Sequence, residues 1–510
     1  MKNILKEWFN NDKKEGVLPH PRKEPRYDMP LGMEGLEKIF QGCDDFSKRG
    51  IILGNTGITV TIAYLDGVVS GDSVSKDIIK AMTNQFRFSD EMTEQQAIDK
   101  MNRGAVYSYT ANVRDTMDDL ANDIVNGFCA VVFQKSATAV TFEVKSGEKR
   151  GVSEPSGEKV LKGAKDAFVE TLRVNTGLIR KKIKNPDLKI KQTTVGRQTL
   201  TSVAIVYIDG LTNNELVDEV EKRLDSMDVD DIITTSNLEG FLSDNKRSPL
   251  PQQLYTERVD KFCLNIVEGR VGIVVDGLPL CYLAPGTFSQ FMKAPEDASE
   301  HFIISSVMTV IRYFCLILTL FLPAFYVAIT MYHQEMIPTQ LMQAIIESKQ
   351  DVPFTTPVEV LGMLVAFELL QEASVRLPNP VGDTLGLIGA LIVGQSAVEA
   401  NVISPLVVIV VGIAGIAGYT VTNLDMSSSA RLGRIMLVVL ALLFGMYGLA
   451  VGAVIIAYHL ASLSSLGVPY MTPFAGSDYK SLSQAMLRWP ADKTKYREKA
   501  LFTHNKRKQK

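Results

Sequence analysis

Four glutamates lie within otherwise apolar stretches in the second half of this 510-residue chain. They are Glu359, Glu368, Glu372 and Glu399, and Gln395 lies one helical turn before the last of them. A carboxylate at the centre of a membrane costs about 3 kcal/mol, so it is usually retained for a function or paired with a cation. If several copies of the chain surround one path, rings of these side chains would conduct cations. Internal ion pairs that fix helix packing are the alternative.

The glutamates fall in a region of low charge. From Phe302 to Leu463 only 14 of 162 residues are Asp, Glu, Lys or Arg, whereas the whole chain is 22% charged. A charged region followed by an apolar one indicates a soluble domain joined to a membrane domain. It excludes a secreted globular enzyme, a disordered protein and a fibrous repeat. The apolar region has five hydrophobic segments: Ile303–Tyr332, Val358–Pro380, Gly382–Ala400, Val402–Thr422 and Leu432–Leu463.

The second hydrophobic segment differs from the others because it is amphipathic. Glu368, Glu372 and Arg376 recur every four residues, which gives a helix one charged face and one apolar face. Arg376 can neutralise Glu372 one turn away. Both ends of the chain are expected in the cytoplasm, so the number of full crossings should be even. We therefore predict that Val358–Arg376 is re-entrant or interfacial and that four crossings remain.

Charge also marks the two ends of the apolar region. Arg312 lies inside the first segment, where it either extends to the lipid headgroups or pairs with an acid inside the helix bundle. Arg431 and Arg434 mark the cytoplasmic end of the last segment. The stretch Lys480–Lys510 carries ten Lys or Arg, and the N-terminus has no apolar signal-peptide core. Both ends of the chain are thus predicted to be cytoplasmic.

An internal repeat organises the charged region. The sequence IAYLDG at Ile62 recurs as IVYIDG at Ile205, and IVNGFCAVVF at Ile124 recurs as IVEGRVGIVV at Ile266. The two offsets are 143 and 142 residues, and their agreement indicates two copies of one small α/β unit. Each unit is predicted to contain a strand, two helices and a closing hairpin. The opening strands are placed at Ile58–Leu65 and Val203–Ile208.

Local signals place the helices of these units. In the second unit, Asn213 can cap a helix over Glu215–Leu224. The next helix of each unit ends at a glycine, Gly127 in the first and Gly269 in the second.

Enzymatic and metal chemistry are not indicated. The glycines form no GxGxxG motif or phosphate loop, and no nucleophile–base pair emerges. The five cysteines are odd in number and lack CxxC spacing, and the five histidines are scattered. We predict no catalytic residues, no metal, no cofactor and reduced thiols. The basic joining segment has no interleaved aromatic residues, so we expect it to face solvent or lipid headgroups rather than nucleic acid.

The predicted fold class is an α/β soluble domain of two duplicated small α/β units, fused to an all-α transmembrane bundle of four to five hydrophobic segments. The predicted divisions are a flexible basic arm (1–45), the first unit (46–150), a basic connecting segment (151–200), the second unit (201–300), a transmembrane domain (301–465) and a basic cytosolic tail (466–510).

Several stretches resemble one known family. RLPNPVGDTLGLIGALIVGQSAVEAN closely resembles the signature of the A-subunit family of bacterial spore germinant receptors, the GerA family. This stretch contains Pro378, Pro380 and Asp383, to which we assign a structural or pairing role. The likeness covers about residues 45 to 475 in family order. Its landmarks are Gly157–Ile183, Asn245–Lys261, Glu268–Leu280, Pro353–Ala373 and Arg376–Asn401.

The resemblance implies a subunit in the inner membrane of the dormant spore, multi-pass, with its soluble N-terminal domain on the cytoplasmic side. It would assemble as a homo-oligomeric ring with a transporter-like B subunit and a lipoprotein C subunit. Nutrients sensed largely by the B subunit would then open a path through the ring for monovalent cations. The alternatives are a membrane scaffold that transmits a signal without conducting, and a paralogue that amplifies germination without sensing nutrients. A secondary transporter is disfavoured because no inverted repeat is found.

Overall fold

Two antiparallel sheets form the first half of the molecule. The computed structural model describes residues 26–88, 92–106, 110–145, 155, 157–158, 160, 162–376, 389, 392–475 and 479–508. The strands of the two sheets are β1 Phe46–Ile52, β2 Thr59–Leu65, β3 Ala111–Arg114, β4 Phe128–Phe133, β5 Thr138–Glu143, β6 Leu188–Val195, β7 Thr201–Ile208, β8 Leu254–Thr256, β9 Val271–Val275 and β10 Cys281–Ala284.

The two sheets have the same topology. The strand order is β1-β2-β4-β5-β3 in the first sheet and β6-β7-β9-β10-β8 in the second. The register also corresponds, because Phe46 pairs with Leu65 at one end of the first sheet and Leu188 pairs with Ile208 in the second. This agreement is what the sequence repeat predicts. We call residues 26–301 the α/β half.

Helices cover the sheets at corresponding places in the two units. The second unit has two helices between β7 and β8, and a third before β9, as the first unit has between β2 and β3 and before β4. The longer helices of the α/β half are α1 Met33–Ile39, the consecutive turns Gly71–Ser73, Val74–Ile79 and Lys80–Met82, then α2 Glu94–Lys100, α3 Met117–Val125, α4 Leu172–Lys182, α5 Asn214–Asp225, α6 Thr235–Leu242 and α7 Val259–Glu268. Single helical turns lie at Met101–Ala105, Phe288–Phe291 and Pro295–Ala298.

The helix signals in the sequence are confirmed. The side chain of Asn213 accepts a hydrogen bond from the backbone N–H of Glu215 and so caps α5. Gly269 ends α7 with φ +105°, and Gly127 follows α3 with φ +87°. Both glycines adopt the left-handed conformation that residues with a side chain rarely adopt, which explains glycine at both helix ends.

A buried ion pair joins the two units. Arg180 of α4 donates from Nε to Asp45 Oδ2 at 2.8 Å and from Nη2 to Asp45 Oδ1 at 2.9 Å. The two side chains are 0% and 3% exposed. Burial alone would lower the pKa of Arg180, but the Asp45 carboxylate raises it overall. The charged forms are therefore stable in this contact, which fixes the second unit onto the start of β1.

The second half of the molecule is helical, and we call residues 302–462 the helical half. Within the described residues, Phe302–Tyr332 and Leu424–Ser462 are long and apolar enough to cross a membrane. A third apolar helix has 15 residues. The helices are α8 Phe302–Tyr332, α9 Thr339–Lys349, α10 Thr356–Arg376, α11 Pro405–Tyr419 and α12 Leu424–Ser462, and residues 392–399 are also helical.

The longest helix, α12, folds back on itself at Gly445. Its 39 residues would extend about 58 Å if straight. Yet Ser429 near its start donates to the carbonyl of Pro249, and His459 near its end lies 2.9 Å from the hydroxyl of Ser248. These contacts to adjacent residues require an antiparallel hairpin. The single span predicted over Leu432–Leu463 is therefore interrupted.

Gly445 is suited to this turn in two ways. Its φ of +58° and ψ of −137° are not helical, and they favour glycine because no Cβ is present. A Cβ there would also lie within 3.0 Å of the Tyr332 side chain. The hydroxyl of Tyr332 donates to the carbonyl of Leu442 at 2.7 Å, which satisfies one of the acceptors freed by the turn. The end of α8 and the turn of α12 thus pack together.

Residues 479–508, which we call the C-terminal segment, pack against the second unit of the α/β half. Glu498 accepts from Arg270 Nη2 and from Gln290 Nε2, both at 2.9 Å, and Lys293 Nζ lies 3.5 Å away. Burial would raise the pKa of Glu498, but Arg270 and Lys293 lower it to about 2. Leu501 is fully buried. The described part of this predicted cytosolic tail is therefore tied to the α/β half.

Candidate functional site: the charged residues of the helical half

Glu359 is buried near the start of α10. Its side chain is 0% exposed, and its Oε1 lies 2.9 Å from Nζ of Lys349 on α9. Its Oε2 accepts from the backbone N–H of Ser404 at 2.7 Å, just before α11 begins. One cation and one N–H group therefore neutralise and bind this carboxylate. The contact joins three successive helices, which is the internal-pairing role that the sequence left open.

Glu368 binds two arginines of α12. Arg431 donates from Nη1 to Oε2 at 3.0 Å, and Arg434 donates from Nη2 to Oε1 at 2.7 Å. Arg434 is 3% exposed, whereas Arg431 and Glu368 are 27% and 28% exposed. A second nitrogen of Arg431 donates to the hydroxyl of Ser428 at 2.7 Å. We call Glu368, Arg431, Arg434 and Ser428 the arginine cluster.

The remaining three candidates lie on the outside of the single chain. Glu372, Gln395 and Glu399 are exposed, and Gln395 Nε2 donates to Glu399 Oε1 at 2.8 Å. Apolar side chains around them are exposed as well, among them Leu369 and Ile392. Glu372, Gln395 and Glu399 therefore reach the surface of a single copy, whereas Glu359 is buried.

The exposed acids stand at different levels along the helices. Gly389 packs against Leu370, and Gly394 packs against Met363, so residue 389 and residues 392–399 run antiparallel to α10. Glu372 therefore lies toward the end of α10, whereas Glu399 lies level with its beginning. About 14 residues of helix separate the two levels, which corresponds to about 20 Å.

Arg312 pairs with an acid that precedes its own helix. It donates to Asp297 from Nη1 at 2.6 Å and from Nη2 at 3.0 Å, and Nη1 also reaches the carbonyl of Met292. Arg312 thus pairs with an acid, but that acid belongs to the α/β half and does not lie inside the helix bundle as the pairing alternative expected. The contact anchors the start of α8 to the second unit.

Some predicted residues cannot be placed by side chain. Arg376 is the last residue of α10, and only its backbone is described. Pro378, Pro380 and Asp383 lie outside the described residues. The predicted pairing of Arg376 with Glu372 and the roles given to the other three therefore remain predictions.

The sequence analysis missed the cations that bind Glu359 and Glu368. No sequence pattern indicates Lys349 as a partner, and the positions of Arg431 and Arg434 indicate only a membrane boundary. A signal was present, because Arg431 and Arg434 lie three residues apart and so share one face of a helix. Their partner, Glu368, is 63 residues from Arg431 and 66 from Arg434 in the chain. Spacing within one helix could not identify it.

A cavity of about 610 Å³ lies where the α/β half, the start of α8 and the C-terminal segment meet. Its lining includes Glu268 of α7, Phe302 of α8 and Trp489. Lys508 pairs with Glu268 at its edge. Within the described residues, no group of three or more His, Cys, Asp or Glu side chains could hold a metal ion.

Comparison with known proteins identifies the family. Residues 34–500 match the family model described as Bacillus/Clostridium GerA spore germination protein. The chain belongs to the GerA family. The match extends beyond both limits that the sequence motifs suggested, and it includes much of the C-terminal segment. The docking of Glu498 therefore lies within the family region.

Relatives of this GerA-family chain include two proteins of Bacillus subtilis strain 168. Spore germination protein KA is 34% identical over 85% of this chain and 79% of its own length. Uncharacterized membrane protein YfkQ is 33% identical over 90% of each chain. Among solved structures, this chain is similar to the N-terminal domain of the A subunit of the Bacillus megaterium spore germinant receptor GerK3, with 25% identity and a TM-score of 0.41. That match covers 52% of this chain and 99% of the solved one.

Proposed function

We propose that this GerA-family chain is the A subunit of a nutrient-responsive germinant receptor and forms an oligomeric path for monovalent cations in the inner membrane of the spore. The α/β half would face the cytoplasm. A transporter-like B subunit and a lipoprotein C subunit would complete the receptor. Membership of the family supports the germination role, and the apolar helices support the membrane location.

The observation that carries the ion path is the exposure of Glu372, Gln395 and Glu399 beside exposed apolar side chains. A carboxylate that faces hydrocarbon is costly, whereas one that faces water between subunits is not. Neighbouring copies around a wet path would remove this cost. The two levels occupied by Glu372 and Glu399 would then form two acidic rings about 20 Å apart.

We divide the five candidates between two roles within this proposal. Glu359 and Glu368 are bound to cations of their own chain, so we assign them to helix packing. Glu372, Gln395 and Glu399 are assigned to the path. Our proposal therefore places three of the five predicted residues in the path and two in helix packing.

The test uses spores of the source bacterium. Deletion of the gene first identifies the nutrients whose response is lost. The double variant Glu372→Gln, Glu399→Gln is then compared with the wild type for potassium release after that nutrient is added. We expect release to slow several-fold while the protein accumulates normally, because each ring loses its charge.

Glu347→Gln provides the matched control, since Glu347 is an exposed acid on α9 outside the proposed rings. It should release potassium at the wild-type rate. Wild-type release by the double variant would remove Glu372 and Glu399 from the path.

A non-conducting scaffold is the second candidate, and the internal pairing of Glu359 and Glu368 favours it. It predicts no current when the purified complex is placed in liposomes with its nutrient. A paralogue that amplifies germination without sensing nutrients would instead slow the response to every nutrient when deleted. Loss of the response to one nutrient class supports the receptor subunit.

A further inference from the structure

The arginine cluster contains more positive charge and more hydrogen-bond donors than the described residues of its own chain satisfy. Two guanidinium groups share the single carboxylate of Glu368, which leaves a net charge of one. Each guanidinium has five N–H donors. Among the described residues, the Nε groups of both Arg431 and Arg434 have no acceptor. In the part of the chain that the structure describes, the cluster therefore has one anion for two cations.

The position of the cluster indicates where that anion would come from. Arg431 is preceded by the serines of α12 and followed by an apolar run with no charged residue after Arg434. Leu369 and Leu432 on either side of it are exposed by 67% and 60%. Ser429, two residues earlier, touches the α/β half. In the proposed orientation, this is the depth at which lipid headgroups end and hydrocarbon begins.

We propose that the arginine cluster binds a phosphate group, supplied by the headgroup of an anionic phospholipid in the leaflet facing the α/β half. Phosphate oxygens match the planar fork of an arginine and accept several N–H groups at once. The part of Arg431 that remains exposed provides the approach, and the Ser428 hydroxyl provides a further donor. The bound phosphate compensates the second arginine and so stabilises the contact between α10 and α12.

This inference rests on the membrane location proposed above, and the experiment separates the two. The full-length chain is purified and reconstituted in phosphatidylcholine bilayers with a minority of phosphatidylglycerol. Extraction at alkaline pH first establishes that the protein is embedded. Bound lipid is then counted by native mass spectrometry after detergent release. Release of the protein by alkali contradicts the membrane location, not the phosphate site.

The wild type is expected to retain phosphatidylglycerol over phosphatidylcholine. Arg431→Gln should lower that preference about fivefold, because a basic residue near an anionic surface contributes about 1 kcal/mol. Arg431→Lys keeps the charge but loses the planar fork, so we expect an intermediate preference and normal folding. Arg49→Gln removes the same charge from an exposed position on β1 of the first unit and should change nothing.

Three outcomes decide the proposal. Equal phosphatidylglycerol retention by the wild type and Arg431→Gln overturns it. If Arg431→Gln instead lowers the number of protein copies and leaves lipid retention unchanged, the missing anion is a carboxylate of a second chain, and the proposal is again overturned. If inorganic phosphate alone raises the melting temperature of the wild type and not of Arg431→Gln, the phosphate site is supported with a soluble source.

Discussion

The α/β half and the helical half differ in how their buried arginines are paired with carboxylates. The largest fully buried side chains include Arg180, Arg258 and Arg270, all in the α/β half. Among the residues that the structure describes, each meets a carboxylate that binds no second arginine, respectively Asp45, Asp260 and Glu498. In the helical half, the buried Arg434 shares Glu368 with another arginine. There too, Glu372 and Glu399 are exposed beside apolar side chains.

The difference suggests which half is complete in one chain. The α/β half satisfies its buried arginines from its own residues and from the C-terminal segment, so we expect it to be rigid and self-sufficient. The helical half has an excess cation at one place and exposed acids at others. It is therefore expected to need lipid, water or further copies of the chain.

Removing one partner of a buried pair should have the largest effect on the α/β half. Arg180→Met leaves Asp45 buried and unpaired, and we expect a loss of about 3–5 kcal/mol in the free energy of unfolding. Chemical unfolding of the full chain in detergent, followed by circular dichroism, measures it.

The double variant Asp45→Leu, Arg180→Met is the control, because it removes both charges. It should recover most of the stability. A single variant as stable as the wild type would show that the α/β half does not depend on internal pairing.

Acid should release the C-terminal segment only at very low pH. Glu498 has its pKa lowered from 4.5 to about 2, so its contribution, about 2–3 kcal/mol, is complete above pH 4.5 and lost as the pH falls through 2. Pepsin cleavage of the segment should therefore remain slow at pH 3 and accelerate near pH 2. Glu498→Gln should be cleaved rapidly throughout this range. Rapid wild-type cleavage at pH 4 would contradict the docking.

The turn at Gly445 tests whether the helical half folds by packing within one chain. Gly445→Ala imposes a positive φ on a residue with a side chain and brings its Cβ within 3.0 Å of Tyr332. We expect a loss of about 1–3 kcal/mol, seen as a lower melting temperature in detergent. Gly362→Ala is the control, since no atom lies within 4 Å of an added Cβ there. Equal melting temperatures for the two variants would argue against the hairpin.

Exposed ion pairs should matter least. Arg197 and Asp228 are 67% and 70% exposed, so Arg197→Ala should change the free energy of unfolding by less than about 0.5 kcal/mol. The same unfolding measurement checks it. A loss comparable to that of Arg180→Met would show that burial does not determine how much an ion pair contributes to the free energy of unfolding.

The sequence predicted the repeat in the α/β half because its signals are local, but residues 151–200, predicted as a connecting segment, include α4 and β6 of the second unit. The cap at Asn213 and the glycine at Gly269 each depend on neighbouring residues of one unit, and the offset of about 143 residues relates the two units. The structure contains all three features. The ion pairs could not be predicted, because Asp45 and Arg180 are 135 residues apart and only the packing of the two units brings them together. Gly445 was also missed, since glycine is common in apolar helices and its φ is set by Tyr332 and the return of the chain.

Water access to the exposed acids tests the central claim most directly. Glu372→Cys and Glu399→Cys are made one at a time in the full chain and treated, in membranes, with a water-soluble thiol reagent. Ile413→Cys, an exposed apolar position on α11, reports lipid-facing sites, and the unmodified parent gives the background of the native thiols. We predict rapid labelling at both acidic positions and little labelling at Ile413. Because neighbouring copies would narrow the path, larger thiol reagents should label the acidic positions more slowly than small ones. Labelling at Glu372→Cys and Glu399→Cys as slow as at Ile413→Cys would mean that no shared aqueous path reaches them.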